Sequence, residues 1–181
     1  MRYSMPDAID LIRSKIRDIP DFPKPGILFR DITPVWKDRY SFDACLKVFS
    51  EHYSSKSLDL IVGIESRGFV VGSAFAARSS LGFVPIRKKG KLPYEVESHE
   101  YQLEYGSDCV EIHKDAVHKG QKVIIMDDLL ATGGTMLASI ELLKKIGAHV
   151  TGCAVVIDLP ALGGRKKIED AGYEVFSIVD Y

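Results

Sequence analysis

Short apolar runs that alternate with helical stretches constrain this chain more than any other feature. Residues 58–64, 83–86, 123–126, 153–157 and 175–179 read as buried strands. Helices are predicted between them, over 69–80, from about Thr135 to Ile146, and over 164–171. Strands without polar alternation need cover on both sides. The predicted fold is therefore α/β, with a central, mostly parallel sheet flanked by helices. A length of 181 residues, 46% of them hydrophobic, suits a single domain over 1–181 with a core of its own.

The N-terminal part follows another pattern. Asp7 precedes Ala8, Ile9, Leu11, Ile12 and Ile16 at helical spacing, which predicts a short helix capped by Asp7. Residues 18–26 contain three prolines and are predicted as an extended loop, with helix again over 41–53. Residues 90–113 interrupt the alternation of strands and helices. Gly90, Pro93, Tyr94, Tyr101, Tyr105 and Gly106 precede an alternating stretch around Cys109-Val110-Glu111-Ile112. A flexible hairpin inserted between two sheet strands is expected here, and long insertions of this kind are often lids over active sites.

Composition excludes several function classes. Lys plus Arg is 24 and Asp plus Glu is 25, a net charge of -1, which offers no general attraction to nucleic acid or anionic membranes. Cys45, Cys109 and Cys153 are few and far apart, and the five histidines show no metal-ligand spacing. No apolar run is long enough to span a bilayer, and the first residues lead into an amphipathic stretch. The expectation is a cytoplasmic protein with reduced thiols and no metal site of its own.

The segment Val123-Ile124-Ile125-Met126-Asp127-Asp128-Leu129-Leu130-Ala131-Thr132-Gly133-Gly134-Thr135-Met136 carries the chemistry. A buried strand leads to two acids, then a loop of small residues, then a helix. Ligands of parallel sheets bind where strands end and helices start. Gly133 and Gly134 let the backbone approach an anion, and the first N–H groups of a helix lack partners within it. Thr132 and Thr135 add hydroxyls. Asp127 and Asp128 would repel a phosphate unless something else used them, and vicinal sugar hydroxyls would do so. A 5-phosphoribosyl group presents both parts. The competing reading is an ordinary helix start capped by Thr, with two solvated acids. The segment has neither the Lys of a P-loop nor the spacing of a dinucleotide fingerprint.

This segment resembles the phosphoribosyl diphosphate (PRPP) motif of the type I phosphoribosyltransferases. The resemblance extends over nearly all of the chain, from Asp21-Phe22-Pro23 through Arg165, to the adenine-using branch of that family. It is carried by Pro25-Gly26-Ile27-Leu28-Phe29-Arg30-Asp31-Ile32, Glu65-Ser66-Arg67-Gly68-Phe69, Ile86-Arg87-Lys88-Lys89-Gly90-Lys91-Leu92-Pro93 and Leu103-Glu104-Tyr105-Gly106. It implies the type I phosphoribosyltransferase fold, with a small base-binding region over 1–40 and a lid over 90–113.

The implied reaction is adenine plus PRPP giving AMP plus diphosphate, with Mg²⁺ accompanying the diphosphate, in a homodimer. The implied ribose-phosphate contacts are Asp127, Asp128, Ala131, Thr132, Gly133, Gly134 and Thr135. Pyrophosphate contacts would be Glu65, Ser66, Arg67, Arg87, Lys88 and Lys91, with Arg87 reaching a neighbouring subunit as one option. Adenine contacts would be Leu28, Phe29, Arg30 and Leu159. Glu104 is the implied proton-handling residue, with Asp127 and Asp128 acting electrostatically. Hypoxanthine-using relatives place an acid before the threonine of the phosphate loop. Ala131 stands there in this chain, which suits an adenine enzyme. The alternatives are a salvage enzyme for xanthine or hypoxanthine, and a non-catalytic PRPP-sensing regulator. A regulator would need a DNA-binding module, and only about 20 residues precede the Pro-rich loop.

Overall fold

The computed structural model describes residues 4–102 and 106–181. The chain forms two compact units, Met1–Ser54 and Ser55–Tyr181.

The first unit opens with α1 (Met5–Lys15). Ser4, not Asp7, is its cap. The Ser4 hydroxyl accepts from the Asp7 N–H at 3.4 Å, and the Asp7 carboxylate accepts from the Ser4 N–H at 3.3 Å. The reciprocal pair satisfies two helix-start donors, so the acid three residues in is a partner of the cap. Two short strands, β1 (Arg17–Ile19) and β2 (Phe29–Asp31), pair antiparallel around the proline-rich segment. That segment was expected as loop alone. The prolines sit in the turn, where no ladder N–H is required. Helices α2 (Thr33–Lys37) and α3 (Arg39–His52) complete the unit, with Asp38 capping α3 through the Ser41 N–H at 2.9 Å.

The second unit holds a seven-stranded sheet. In chain order its elements are β3 (Leu60–Ile64), α4 (Gly68–Arg78), β4 (Gly82–Lys88), β5 (Val96–Gln102), β6 (Ser107–His113), β7 (Lys122–Leu130), α5 (Gly134–Lys145), β8 (His149–Asp158), α6 (Gly164–Asp170) and β9 (Val175–Asp180). The strand order is β5-β6-β4-β3-β7-β8-β9. The five strands from β4 to β9 in that order run parallel, and the β5–β6 hairpin joins antiparallel. The inserted hairpin therefore extends the sheet at its β4 edge, through Arg87 opposite Glu111 and Lys88 opposite Val110. It does not separate the strands that flank it in sequence.

Alternate residues of the central strands fill the core. Val62, Ile64, Val123 and Ile125 belong to one buried cluster with Ile140, Leu142 and Leu143 of α5. Gly63 and Gly72 let α4 close on the sheet, since a Cβ on Gly63 would lie 3.1 Å from Gly68 O and one on Gly72 3.5 Å from Gly63 Cα. Chain direction then places the site. β3 leads through α4 to β4 on one side, and β7 leads through α5 to β8 on the other. Such a reversal opens a crevice at the carboxyl ends of β3 and β7.

Candidate active site

Two loops meet at this crevice. One follows β3 and contains Glu65, Ser66 and Arg67; the other follows β7 and contains residues 131–133. β3 stays in register with β7 only as far as Gly63 opposite Met126, whereas β8 continues to Asp158 opposite Leu130. β7 thus runs past the end of β3 on one side. Asp127 and Asp128, expected after the strand, lie within this overhanging part of it.

The acids are not a solvated pair. Asp128 is 3% exposed. Its Oδ2 lies 2.9 Å from Arg67 Nε. Asp127 Oδ1 accepts the Asp128 N–H at 2.8 Å. Burial raises the pKa of Asp127 well above the usual carboxylate value, and the neighbouring charge of Asp128 adds to the rise. Burial also raises Asp128, with Arg67 opposing. Two carboxylates can accept more hydrogen bonds than these, and vicinal hydroxyls would use the remaining capacity. The start of α4 packs against the pair, since a Cβ on Gly68 would lie 2.7 Å from Met126 O and 2.9 Å from Asp127 Oδ1.

Asp127 and residues 129–136 line one concavity. Gly133 adopts φ +80° and is the N-cap of α5, without a side-chain cap, so the threonine cap of the competing reading is not formed. The Leu137 N–H donates to Gly133 O at 2.9 Å. The N–H groups ahead of that bond are the helix-start donors that suit an anion. The loop is braced from behind. The Gly164 N–H donates to Ala131 O at 3.0 Å, and Lys167 Nζ donates to Thr132 O at 3.2 Å. Arg165 is tied to Asp158 at 2.6 Å, to Val175 O at 2.8 Å and to Ser177 at 2.6 Å.

The other predicted groups sort into three sets. Glu65 accepts both Arg87 Nε at 3.1 Å and Arg87 Nη2 at 3.0 Å, and also the Lys88 N–H at 3.0 Å. The Arg87 bonds hold the Glu65 carboxyl below its usual pKa despite partial burial. Glu65 thereby orients Arg87, whose Nη1 reaches Lys91 O at 2.9 Å. The Glu65–Ser66 peptide is cis, and Ser66 is exposed. Lys88 pairs with Asp108. In the first unit, Phe29 packs edge-on to Phe22 with ring centroids 5.1 Å apart, Arg30 pairs with Asp18, and Leu28 is exposed. Leu159 follows β8, its N–H donating to Leu130 O at 3.0 Å. Glu104 lies outside the described residues. Among the described residues, no group of three or more His, Cys, Asp or Glu could hold a metal ion.

Sequence reasoning missed four residues that shape this site. Gly68 and Gly164 act through the absence of a side chain, and an adjacent pair such as Gly163-Gly164 was the available signal. Tyr101 and Asp108 belong to the hairpin and reach the site only because that hairpin docks on the sheet edge.

Comparison with known proteins agrees with this arrangement. The phosphoribosyl transferase domain family matches residues 37–181. Adenine phosphoribosyltransferase of Bordetella parapertussis is 49% identical over 175 residues, covering 97% of this chain and 92% of that protein. The crystal structure of adenine phosphoribosyltransferase from Thermoanaerobacter pseudethanolicus superposes with a TM-score of 0.92 at 48% identity, covering 96% of this chain and 99% of that one. The enzyme from Saccharomyces cerevisiae, solved in complex with D-2,5-dideoxy-2,5-imino-altritol 1,6-bisphosphate and adenine, gives a TM-score of 0.89 at 38% identity, covering 95% of this chain and 98% of that one. The chain belongs to the type I phosphoribosyltransferase family, on its adenine phosphoribosyltransferase branch.

Proposed function

We propose that the crevice between the ends of β3 and β7 is where this adenine phosphoribosyltransferase transfers the 5-phosphoribosyl group of PRPP to adenine. The observation that carries this is the placement of half-buried Asp127 and buried Asp128, whose pKa values burial raises, beside the helix-start loop 131–135. The loop, with the Thr132 and Thr135 hydroxyls, takes the 5-phosphate, and the two carboxylates accept from the ribose hydroxyls. N9 of adenine forms a bond to C1′ as the bond from C1′ to the diphosphate oxygen breaks. The electron pair of the broken bond leaves with diphosphate, and N9 gives up its proton.

Positive charge develops on the sugar ring in that step, and the nearby acid pair stabilises it without reorganising. Ser66 and Arg67, with Arg87, Lys88 and Lys91, receive the diphosphate, and Glu65 keeps Arg87 aimed. The roles of Leu28, Phe29, Arg30 and Leu159 at the adenine ring, and of Glu104 at its proton, rest on the resemblance of their motifs. Among the described residues no cluster of three or more metal-ligating side chains forms, and we assign Mg²⁺ to the substrate, where it would neutralise diphosphate charge. A homodimer and a cytoplasmic location complete the proposal, the latter supported by three free, buried cysteines.

Steady-state formation of AMP tests the assignment. Adenine presents an amino donor at C6 where hypoxanthine presents an oxo acceptor, so a site that pairs with one leaves groups unpaired with the other. Adenine is expected to exceed hypoxanthine in kcat/KM by orders of magnitude, on the scale of about 10⁴ for sites of this kind. Comparable values would overturn the assignment of the base.

A further inference from the structure

The hairpin is fastened along α5. Lys145 Nζ donates to Ser98 O at 2.9 Å, and Tyr101 packs its ring beside Gly134, where an added Cβ would lie 3.7 Å away. The Tyr101 hydroxyl then reaches two partners, Thr135 Oγ1 at 3.0 Å and Asp108 Oδ2 at 3.1 Å. Asp108 also accepts from Lys88 Nζ, and that bond holds its carboxyl below the usual value.

Counting protons fixes the direction of these bonds. An ionised Asp108 can only accept, and a hydrogen bond to a charged acceptor is the stronger one. Tyrosine has one hydroxyl proton, so it goes to Asp108. The Tyr101 oxygen then faces Thr135 as an acceptor, and the Thr135 hydroxyl must donate to it. Thr135 has no second proton for a phosphate. We infer that Tyr101 is a positioning residue of the phosphate subsite: it holds the Thr135 hydroxyl proton, and a bound phosphate must take that donor away from it. Tyr101 thereby weakens the grip on the 5-phosphate of AMP and favours its release. Through Lys88 and Thr135, Asp108 and Tyr101 together engage one group from each of the two proposed anion sites. The inference rests on the assignment of Thr135 to the phosphate.

Titration calorimetry with AMP and with adenosine tests it. Tyr101→Phe removes the competing oxygen and keeps the ring. AMP is expected to bind about two- to tenfold more tightly, the size of one net hydrogen bond, with adenosine unchanged. In a Thr135→Val background, Tyr101→Phe should change nothing. Asp108→Asn leaves Tyr101 in place with a neutral acceptor, and should tighten AMP in the same direction by less. It serves as the second probe if the Tyr101 variant folds poorly. Unchanged or weaker AMP binding by Tyr101→Phe overturns the inference. So does equal tightening of adenosine, which would report only a looser hairpin, and so does an effect that survives in Thr135→Val. Thr135→Val alone must weaken AMP. If it does not, the phosphate assignment falls and takes the inference with it. If it does and Tyr101→Phe fails to tighten AMP, the inference alone falls.

Discussion

Asp127 and Asp128 set function against stability within two residues. Both carboxyls have pKa values raised by burial, so their ionised forms are disfavoured in the folded protein. The linkage has a definite sign. A group whose pKa is raised by folding adds stability below its unfolded value, and loses that contribution as pH rises through the folded one. Wild-type stability should therefore increase as pH falls through the raised values toward the ordinary carboxylate value. AMP affinity should decline over the same window, because ribose hydroxyls bind the ionised form. Lower still, Asp31, Glu65 and Asp108 act oppositely. Their pKa values are depressed, so their contributions are lost as they protonate. Asp127→Asn keeps the acceptor for the Asp128 N–H and removes a half-buried charge. It should raise the melting temperature while weakening AMP about tenfold or more, since hydrogen bonds to charged groups contribute about 1.5–3 kcal/mol. Asp128→Asn should lose AMP affinity similarly. A lower melting temperature for Asp127→Asn with unchanged AMP binding would mean that the acids are structural.

Elements hold these residues in place, and here the sequence and the structure part in an instructive way. The parallel strands and their helices were legible because burial on both faces removes polar alternation from residues 60–64 and 123–126. The phosphate loop was legible because glycine, threonine and acid stand together between a strand and a helix. The docking of the β5–β6 hairpin was not, since pairing of Arg87 with Glu111 joins positions far apart in sequence and leaves no local period. The brace behind the loop was equally hidden. A Cβ on Gly164 would lie 2.3 Å from Ala131 O and 2.8 Å from the Gly133 N, both backbone atoms that cannot turn aside. Gly164→Ala should therefore displace the loop. Misplacement of about 1 Å costs on the order of 100-fold in rate, so a loss of that size is expected in kcat/KM for PRPP. AMP binding should weaken with it, and the far-UV spectrum should be unaltered. Full activity in this variant would show that the loop tolerates the shift and is not held by close contact with Gly164.

At the scale of the whole molecule, a net charge of -1 gives no general field to attract anions, so affinity for a phosphorylated ligand has to come from the loop itself. Among the described residues, no helix is long and apolar enough to cross a membrane. That loop joins β7 to α5, and both elements contribute to the main buried cluster, so ligand binding is coupled to the stability of the entire sheet. The coupling follows mass action. AMP at about 100 times its Kd stabilises the native state by about 2.7 kcal/mol. For a chain of 181 residues this corresponds to a rise of roughly 5–10 °C in melting temperature. Adenosine at the same concentration lacks the phosphate. If it binds at least tenfold more weakly, its shift should be about half as large or less. Scanning calorimetry of the wild type with each ligand makes the comparison. Equal shifts from AMP and adenosine would show that the helix-start loop contributes nothing to phosphate binding. The crevice between β3 and β7 would then have to be reassigned, however well the acid pair suits a ribose.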